Sequence, residues 1–495
     1  MSRALVSLVL LLAAVVSSLF CRTATAAATN VLLIITDEHN FRTLGCYREL
    51  MPREQAEMWG VGAIVLTPNY DRVAKEGVLC TRAYATAPVC SPCRAAMITG
   101  RYPHATGVPA NDKVLDRSIP TLADRLNDAG YRTSFIGKWH LSGTGKPEWS
   151  PKIDGGFQHK GFMFNRGHWK KFVIEDGVPA VGAGTRKNPT YALDGADEKT
   201  FSTDWLTDRA IEFVTDQQAT KPFFTVISYP DPHGPNTVRA PYDTRFDNLP
   251  FQAPRTYRTG KPAPKWLGGG TNHPVFRGND MSHYFGMVQC IDDNIGRLLD
   301  GLKDSGRLEN TLIIMTSDHG DLCYEHDRQN KGNPYEGSAR VPMILRQPGR
   351  IAADQIFAEP MGTVDLTPTV MGLLGLPANA DDQGRNLAAE LADVARSEID
   401  EADPPVTFLR NAGVTAEWLA AVDARYKLIV SVNDVPWLFD AKEDPDELVN
   451  FHGKAEYRVV EKRLAAKLLA YGQKNKDSHI ENEKIAASLE TILGR

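Results

Sequence analysis

The sequence has little of what would mark a glycoprotein, a disulfide scaffold or a nucleic-acid binder. It holds no Asn-x-Ser/Thr acceptor with x other than Pro, since Asn188 is followed by Pro189, so nothing points to N-glycosylation. Seven cysteines in 495 residues are too sparse for a disulfide framework, and a packed core must carry the fold. No long block of like charge occurs. The 56 Lys and Arg face 61 Asp and Glu, a net charge of −5, which argues against a nucleic-acid partner bound through a large basic face. After Phe20 no apolar run reaches the roughly 20 residues that a membrane span needs, so no stable membrane insertion is expected. With 42% hydrophobic and 24% charged residues, the composition is that of a globular chain and excludes disorder as the dominant state.

The amino terminus is where an address can be read. Arg3 precedes an apolar run from Ala4 to Phe20 and then small residues ending in Ala24-Thr25-Ala26, the pattern of an export signal over residues 1–26. A lipoprotein anchor at Cys21 is the alternative, and bulky Phe20 disfavours it. Removing the signal takes away Arg3 and Arg22 and no acids, leaving a more acidic mature chain. An exported protein with no glycosylation site is expected in the periplasm or outside a bacterial cell.

Three short apolar runs suit strands buried on both faces of a parallel sheet: Asn30–Thr36, Phe223–Ser228 and Thr311–Thr316. Each stops at a polar cluster, Asp37-Glu38-His39, Asp231-Pro232-His233 and Ser317-Asp318-His319 respectively. Helical spacing marks Thr121–Ala129, ahead of a strand at Tyr131–Ile136, and His283–Leu302. Strands alternating with helices predict an α/β fold with a mainly parallel sheet, whose ligands bind beyond the carboxyl ends of the strands. Segments 139–191 and 235–279, rich in Gly, Pro, cations and aromatics such as His168, Trp169 and Trp266, read as long surface insertions. After an acidic stretch near Glu390–Asp403, strands at Tyr426–Val432 and Trp437–Phe439 and helices near Ala455–Tyr471 and Glu483–Leu493 predict a smaller α+β unit with an antiparallel sheet. The boundary is placed near residue 390, giving a large unit over 27–390 and a small one over 391–495.

The densest motif is Cys90-Ser91-Pro92-Cys93-Arg94 followed by Thr99-Gly100-Arg101. It resembles the signature of the type I sulfatases of the alkaline phosphatase superfamily, C-x-P-x-R with T-G-R at the same spacing. The resemblance runs on in chain order through Thr36-Asp37-Glu38, Gly137-Lys138-Trp139-His140, Asp231-Pro232-His233, Ser317-Asp318-His319-Gly320-Asp321 and Lys331…Tyr335-Glu336…Arg340-Val341-Pro342. It covers most of residues 30–370 and implies an alkaline-phosphatase-like large domain with a mixed, mainly parallel sheet flanked by helices.

Read alone, aspartates at strand ends are hard oxygen ligands suited to Ca²⁺ or Mg²⁺, and Asp37 and Asp318 are the strongest candidates. A lone Asp after a strand is otherwise a turn or cap residue. The resemblance implies one calcium ion per site, bound by Asp37, Glu38, Asp318, His319 and the modified Cys90. Glu38 departs from the family's usual second Asp, and the nitrogen of His319 brings Mn²⁺ into consideration. It implies too that a maturation enzyme oxidises Cys90 to formylglycine, whose hydrate attacks sulfur; the bland reading of Cys90 is a buried thiol or half of a disulfide. Arg94, one helical turn after Cys90, is expected beside the nucleophile, and Lys138 and Lys331 are expected to neutralise sulfate oxygens. By resemblance His140 is a base in formylglycine turnover and His233 protonates the leaving alcohol. Cys93, His39 and His104 are expected to have structural roles.

These residues predict an exported sulfatase that hydrolyses a sulfate ester on a carbohydrate, its substrate a sulfated small molecule or glycan. The Trp and cationic residues of the insertions are expected to stack on sugar rings and pair with anionic groups. A phosphonate monoester or phosphodiester hydrolase of the same superfamily is the alternative, favoured by Glu38 and His319. A sulfated-glycan-binding protein with unmodified Cys90 is the remaining one.

Overall fold

The computed structural model describes residues 28–267, 273–394 and 403–495; the expected export signal and most of the acidic stretch after Glu390 lie outside them. The main sheet has eight strands. In chain order these are β1 (Asn30–Asp37), β2 (Val78–Cys80), β3 (Arg132–Lys138), β4 (Met163–Phe164), β5 (Phe223–Pro232), β6 (Thr311–Ser317), β7 (Met343–Arg346) and β8 (Gln355–Phe357). Their spatial order is β8-β2-β7-β6-β1-β5-β3-β4. The run from β6 to β4 is parallel, and β7 enters antiparallel to both β6 and β2.

The period of two in a strand divides each apolar run between two cores. Val31, Leu33 and Ile35 of β1 join Phe224 and Val226 of β5 and Leu312 and Ile314 of β6 on one face. Leu32 and Ile34 join Ile227, Ile313 and Met315 on the other. Helices cover both faces, as a sheet apolar on both sides demands. On the first lie α2 (Cys90–Thr99), α3 (Leu122–Asp128) and α6 (Leu366–Leu373); on the second lie α1 (Pro68–Lys75), α4 (Ser202–Val214) and α5 (Gly278–Asp304). The start of α3 is set by a capping box in which Thr121 and Asp124 satisfy each other's backbone N–H groups.

A second sheet of four antiparallel strands follows, β9 (Thr407–Arg410), β10 (Trp418–Val422), β11 (Tyr426–Ser431) and β12 (Trp437–Asp440), with helices α7 (Arg458–Asn475) and α8 (Glu483–Leu493). One face of this sheet packs on α7 and α8 through Leu419, Ala421, Leu428 and Val430. The other packs on the large unit, where Trp418, Ala420 and Ile429 meet Tyr84, Trp266 and Tyr335.

Two expectations about the insertions need correction. Segment 139–191 contributes β4 to the main sheet, and Phe164, Trp169 and Phe172 sink into the second core. Trp266 is buried in the interface with the antiparallel sheet. Neither Trp169, 2% exposed, nor Trp266, 4% exposed, offers a free ring face to a sugar. Among the described residues no helix is long and apolar enough to cross a membrane, and the six described cysteines are buried and unpaired.

Candidate active site

Four parallel neighbours, β6, β1, β5 and β3, end at the same edge of the sheet and deliver Asp318-His319, Asp37-Glu38, His233 and Lys138-Trp139-His140 together. Gly137 makes the last approach possible: its φ is +107°, and a Cβ there would lie 2.0 Å from the carbonyl oxygen of Ser228 on β5. Helix α2 supplies Cys90 at its first turn, buried over the ends of β1 and β6.

The nucleus of the site is Cys90, Asp37, Asp318 and His319, whose ligand atoms lie within 4.8 Å of one another. Cys90 Sγ is 3.2 Å from His319 Nε2 and 3.8 Å from Asp37 Oδ1. Each aspartate is split between two environments. Asp37 Oδ2 accepts from Lys138 Nζ and Arg94 Nη2, and Asp318 Oδ2 accepts from Arg94 Nε at 2.8 Å. Their Oδ1 atoms face His319 Nε2, at 3.8 and 3.5 Å. His319 Nδ1 lies 3.0 Å from the Gly320 carbonyl, and donation there leaves Nε2 a lone pair on the cluster side. Burial alone would raise the Asp37 carboxyl, but Lys138, His233 and Arg94 outweigh it and hold it well below the usual range.

Arg94 ties the cluster together. Its guanidinium also donates to the Lys138 carbonyl at 2.7 Å and to Ser228 Oγ at 2.8 Å, so every edge of the planar group is used.

Glu38 sits in the left-handed region (φ +64°) and turns away from that nucleus. Its Oε2 lies 2.8 Å from His233 Nε2 and accepts from Lys331 Nζ at 3.1 Å, while Oε1 is buried without a hydrogen bond. Against the cost of burial, the charges of His233 and Lys331 bring its carboxyl down to about 2. Burial likewise opposes the charge on Lys331, but Glu38, Cys90 and Asp37 raise its ammonium above the ordinary lysine value. His233 Nε2 is 2.6 Å from Lys331 Nζ, and its Nδ1 faces the Gly234 carbonyl at 2.9 Å.

His140 is buried with φ +62°, and neither ring nitrogen has a hydrogen bond. Burial and the nearby Lys138 and Arg94 push it well below the usual histidine value, so it is neutral. Asp112 Oδ1 lies 3.5 Å from its Nε2 and is paired with Arg166 at 3.0 Å.

Sequence reasoning did not single out Asp112, Lys170 or the contacts of His168. Lys170 Nζ bonds Asp231 Oδ1 at 2.6 Å and so pins the chain beside His233. The lysine that follows His168 and Trp169 in an aromatic stretch was the available signal. Cys93 meets Thr363 Oγ1 at 3.1 Å and His39 bonds Thr36 and Thr43 within the packed interior, while half-buried His104 meets the Asn475 carbonyl at 2.8 Å.

The donor set tests whether a divalent cation fits. Two carboxylate oxygens and an imidazole nitrogen already face one point, which is the chemistry a hard or borderline cation requires, while Glu38 stands outside this group with a buried Oε1 that has no hydrogen bond.

Comparison with known proteins gives this geometry its family. The sulfatase family model matches residues 29–376, and the model of the N-sulphoglucosamine sulphohydrolase carboxyl-terminal region matches 324–474. The chain belongs to the sulfatase family and is a sulfuric ester hydrolase. An N-acetylglucosamine-6-O-sulfatase of Bacteroides thetaiotaomicron is 28% identical over 94% of this chain and 88% of its own. A solved structure in complex with its substrate D-glucosamine-2-N,6-O-disulfate is 25% identical, with a TM-score of 0.71, covering 92% of this chain and 99% of that one. The phosphonate monoester hydrolase of Agrobacterium radiobacter, 23% identical with a TM-score of 0.68 over 92% and 97% of the two chains, shares the fold.

Proposed function

We propose that the protein is an exported enzyme, periplasmic or extracellular, that hydrolyses a sulfate ester on a carbohydrate. The observation that carries this reading is the convergence of Cys90 on Asp37, Asp318 and His319 inside a ring of cationic and imidazole side chains. The large unit, taken as residues 27–390, holds all of these residues, and the small unit from 391 onward buttresses it. The names of the relatives support a sulfated sugar as substrate.

Asp37, Asp318 and His319 would hold the divalent cation, calcium or else Mn²⁺ or Mg²⁺, with Glu38 as a further candidate. A cation there supplies positive charge that polarises the sulfate and lowers the pKa of an oxygen nucleophile. Burial and Asp37 push the Cys90 thiol above its ordinary value, so the unmodified side chain is a poor nucleophile. Formylglycine at position 90, made by a maturation enzyme, supplies an oxygen nucleophile and a way to release sulfate that a thiol lacks.

The remaining roles belong to side chains present in the chain itself. Arg94 holds both aspartates by their Oδ2 atoms, with their Oδ1 atoms toward the cation. Lys138 and Lys331 bring ammonium groups to the sulfate oxygens, where charge develops in the transition state. His233 Nε2 can accept from Lys331 or, when protonated, donate to Glu38, and it holds the proton that passes to the leaving alcohol. Neutral His140, with both ring nitrogens free of hydrogen bonds, takes up a proton in turnover.

The second reading is a phosphonate monoester or phosphodiester hydrolase, supported by solved structures that share the fold. Rates on glucosamine 6-sulfate, 4-nitrophenyl sulfate, a phenylphosphonate monoester and a phosphodiester separate the two. Higher kcat/KM on the sulfates is expected; higher kcat/KM on the phosphorus esters overturns the sulfatase reading.

A further inference from the structure

The geometry points to His168 as a positioning residue that sets the plane of His233 and so governs how well the enzyme expels a poor leaving group. This rests on the reading of His233 as the acid for the leaving alcohol. The rings of His168 and His233 lie 3.5 Å apart between centroids and 9° from parallel. Such full-face overlap is uncommon for aromatic pairs, which favour offset or edge-on contact, so something must hold it. What holds it is visible on both sides. His168 Nε2 is 2.7 Å from Lys138 Nζ and can accept its proton, while His233 is gripped at Nδ1 by the Gly234 carbonyl and at Nε2 by Lys331 and Glu38.

The segment that delivers His168 is itself anchored on both sides. Trp169 and Phe172 are buried in the core, and Lys170 donates to Asp231 and to the His233 carbonyl oxygen. The 168–172 stretch thus clamps His233 from the backbone side and from the ring face. Without the stacked ring, His233 could rotate away from the direction in which its Nε2 delivers a proton. An alcohol of high pKa needs that proton in the transition state; a nitrophenolate scarcely does.

Two variants separate the two contacts of the ring. His168→Gln, whose amide oxygen reaches the place of Nε2, keeps an acceptor for Lys138 and removes the aromatic face; His168→Phe keeps the face and removes the acceptor. Both are compared with the wild type on glucosamine 6-sulfate and on 4-nitrophenyl sulfate, with thermal unfolding to verify the fold. For His168→Gln, kcat on the sugar sulfate is expected to fall about tenfold or more, part of the general-acid contribution, and to change less than about twofold on the aryl sulfate. His168→Phe is expected to retain the wild-type ratio of the two kcat values, with KM raised on both through misplaced Lys138. A crystal structure of His168→Gln should show the His233 ring turned from its contact with Glu38. Equal kcat losses on the two substrates, or a ratio in His168→Phe no better than in His168→Gln, overturn the role of His168. A wild-type enzyme that cleaves neither sulfate overturns instead the functional reading beneath it.

Discussion

Cys90 and His319, 229 positions apart in the chain, meet with sulfur and Nε2 at 3.2 Å, because the first turn of α2 lies over the end of β6. The contact brings the proposed site of modification and a proposed nitrogen ligand to one point. Arg94 bridges the two aspartates that flank it.

Arg94 is therefore expected to matter for folding as well as catalysis. Arg94→Ala leaves the buried Asp37 and Asp318 short of their shared partner, and removing one member of a buried pair costs about 3–5 kcal/mol. Chemical denaturation should show a loss of that size, and sulfate release should fall by about 100-fold or more. A variant of unchanged stability would contradict the arrangement.

Cation binding should be visible without any turnover. At a concentration about 100-fold above Kd, a cation that binds only the folded chain adds about 2.7 kcal/mol, so the thermal midpoint of chelator-treated protein should rise when calcium or manganese is restored. Asp318→Asn should lose most of that rise. An identical rise in the variant would place the cation elsewhere.

Away from the site, Asp292 of α5 accepts from the backbone N–H groups of Asn69 and Tyr70 at the start of α1. Burial pushes its carboxyl up to about 7. The folded protein then binds a proton that the unfolded chain has released, so this contribution is complete below about pH 4 and is lost as the pH climbs towards 7. Asp292→Asn removes it. Its thermal midpoint, taken relative to the wild type, should be higher at pH 8 than at pH 5; the reverse order would refute the assignment.

The small unit holds the segment that carries Lys331. Lys427 of β11 donates to the Pro334 carbonyl and to the carboxylates of Glu336 and Glu447, each at 2.7 Å. Lys427→Met keeps the apolar stem and strands two buried acids, for an expected loss of about 3 kcal/mol in urea unfolding. A loss below about 1 kcal/mol, the scale of an exposed pair, would mean that the cluster is not closed to water.

Much of this was legible in the sequence, and the reason is periodicity. β1, β5 and β6 are buried on both faces, so they are written as unbroken apolar runs, and the polar residues that end them fall at one edge once the strands pair in parallel. In the small unit β11, β12 and α8 were equally plain, whereas β9 and β10 were not read from the sequence. What the pattern could not show was direction. Glu38 follows Asp37, yet its left-handed backbone turns it to Lys331 and His233, and no periodicity encodes that turn. Segment 139–191 has loop composition but is held by buried aromatic residues, so its position in the core, and with it the place of His168, depends on tertiary contacts that spacing does not reveal.

The central claim is that position 90 carries a formylglycine in the folded enzyme. Mass spectrometry of the Cys90 peptide, from protein purified out of its native compartment, tests it directly. A deficit of about 18 Da relative to cysteine is the predicted result. An unmodified thiol in fully folded, sulfate-releasing protein would contradict the account.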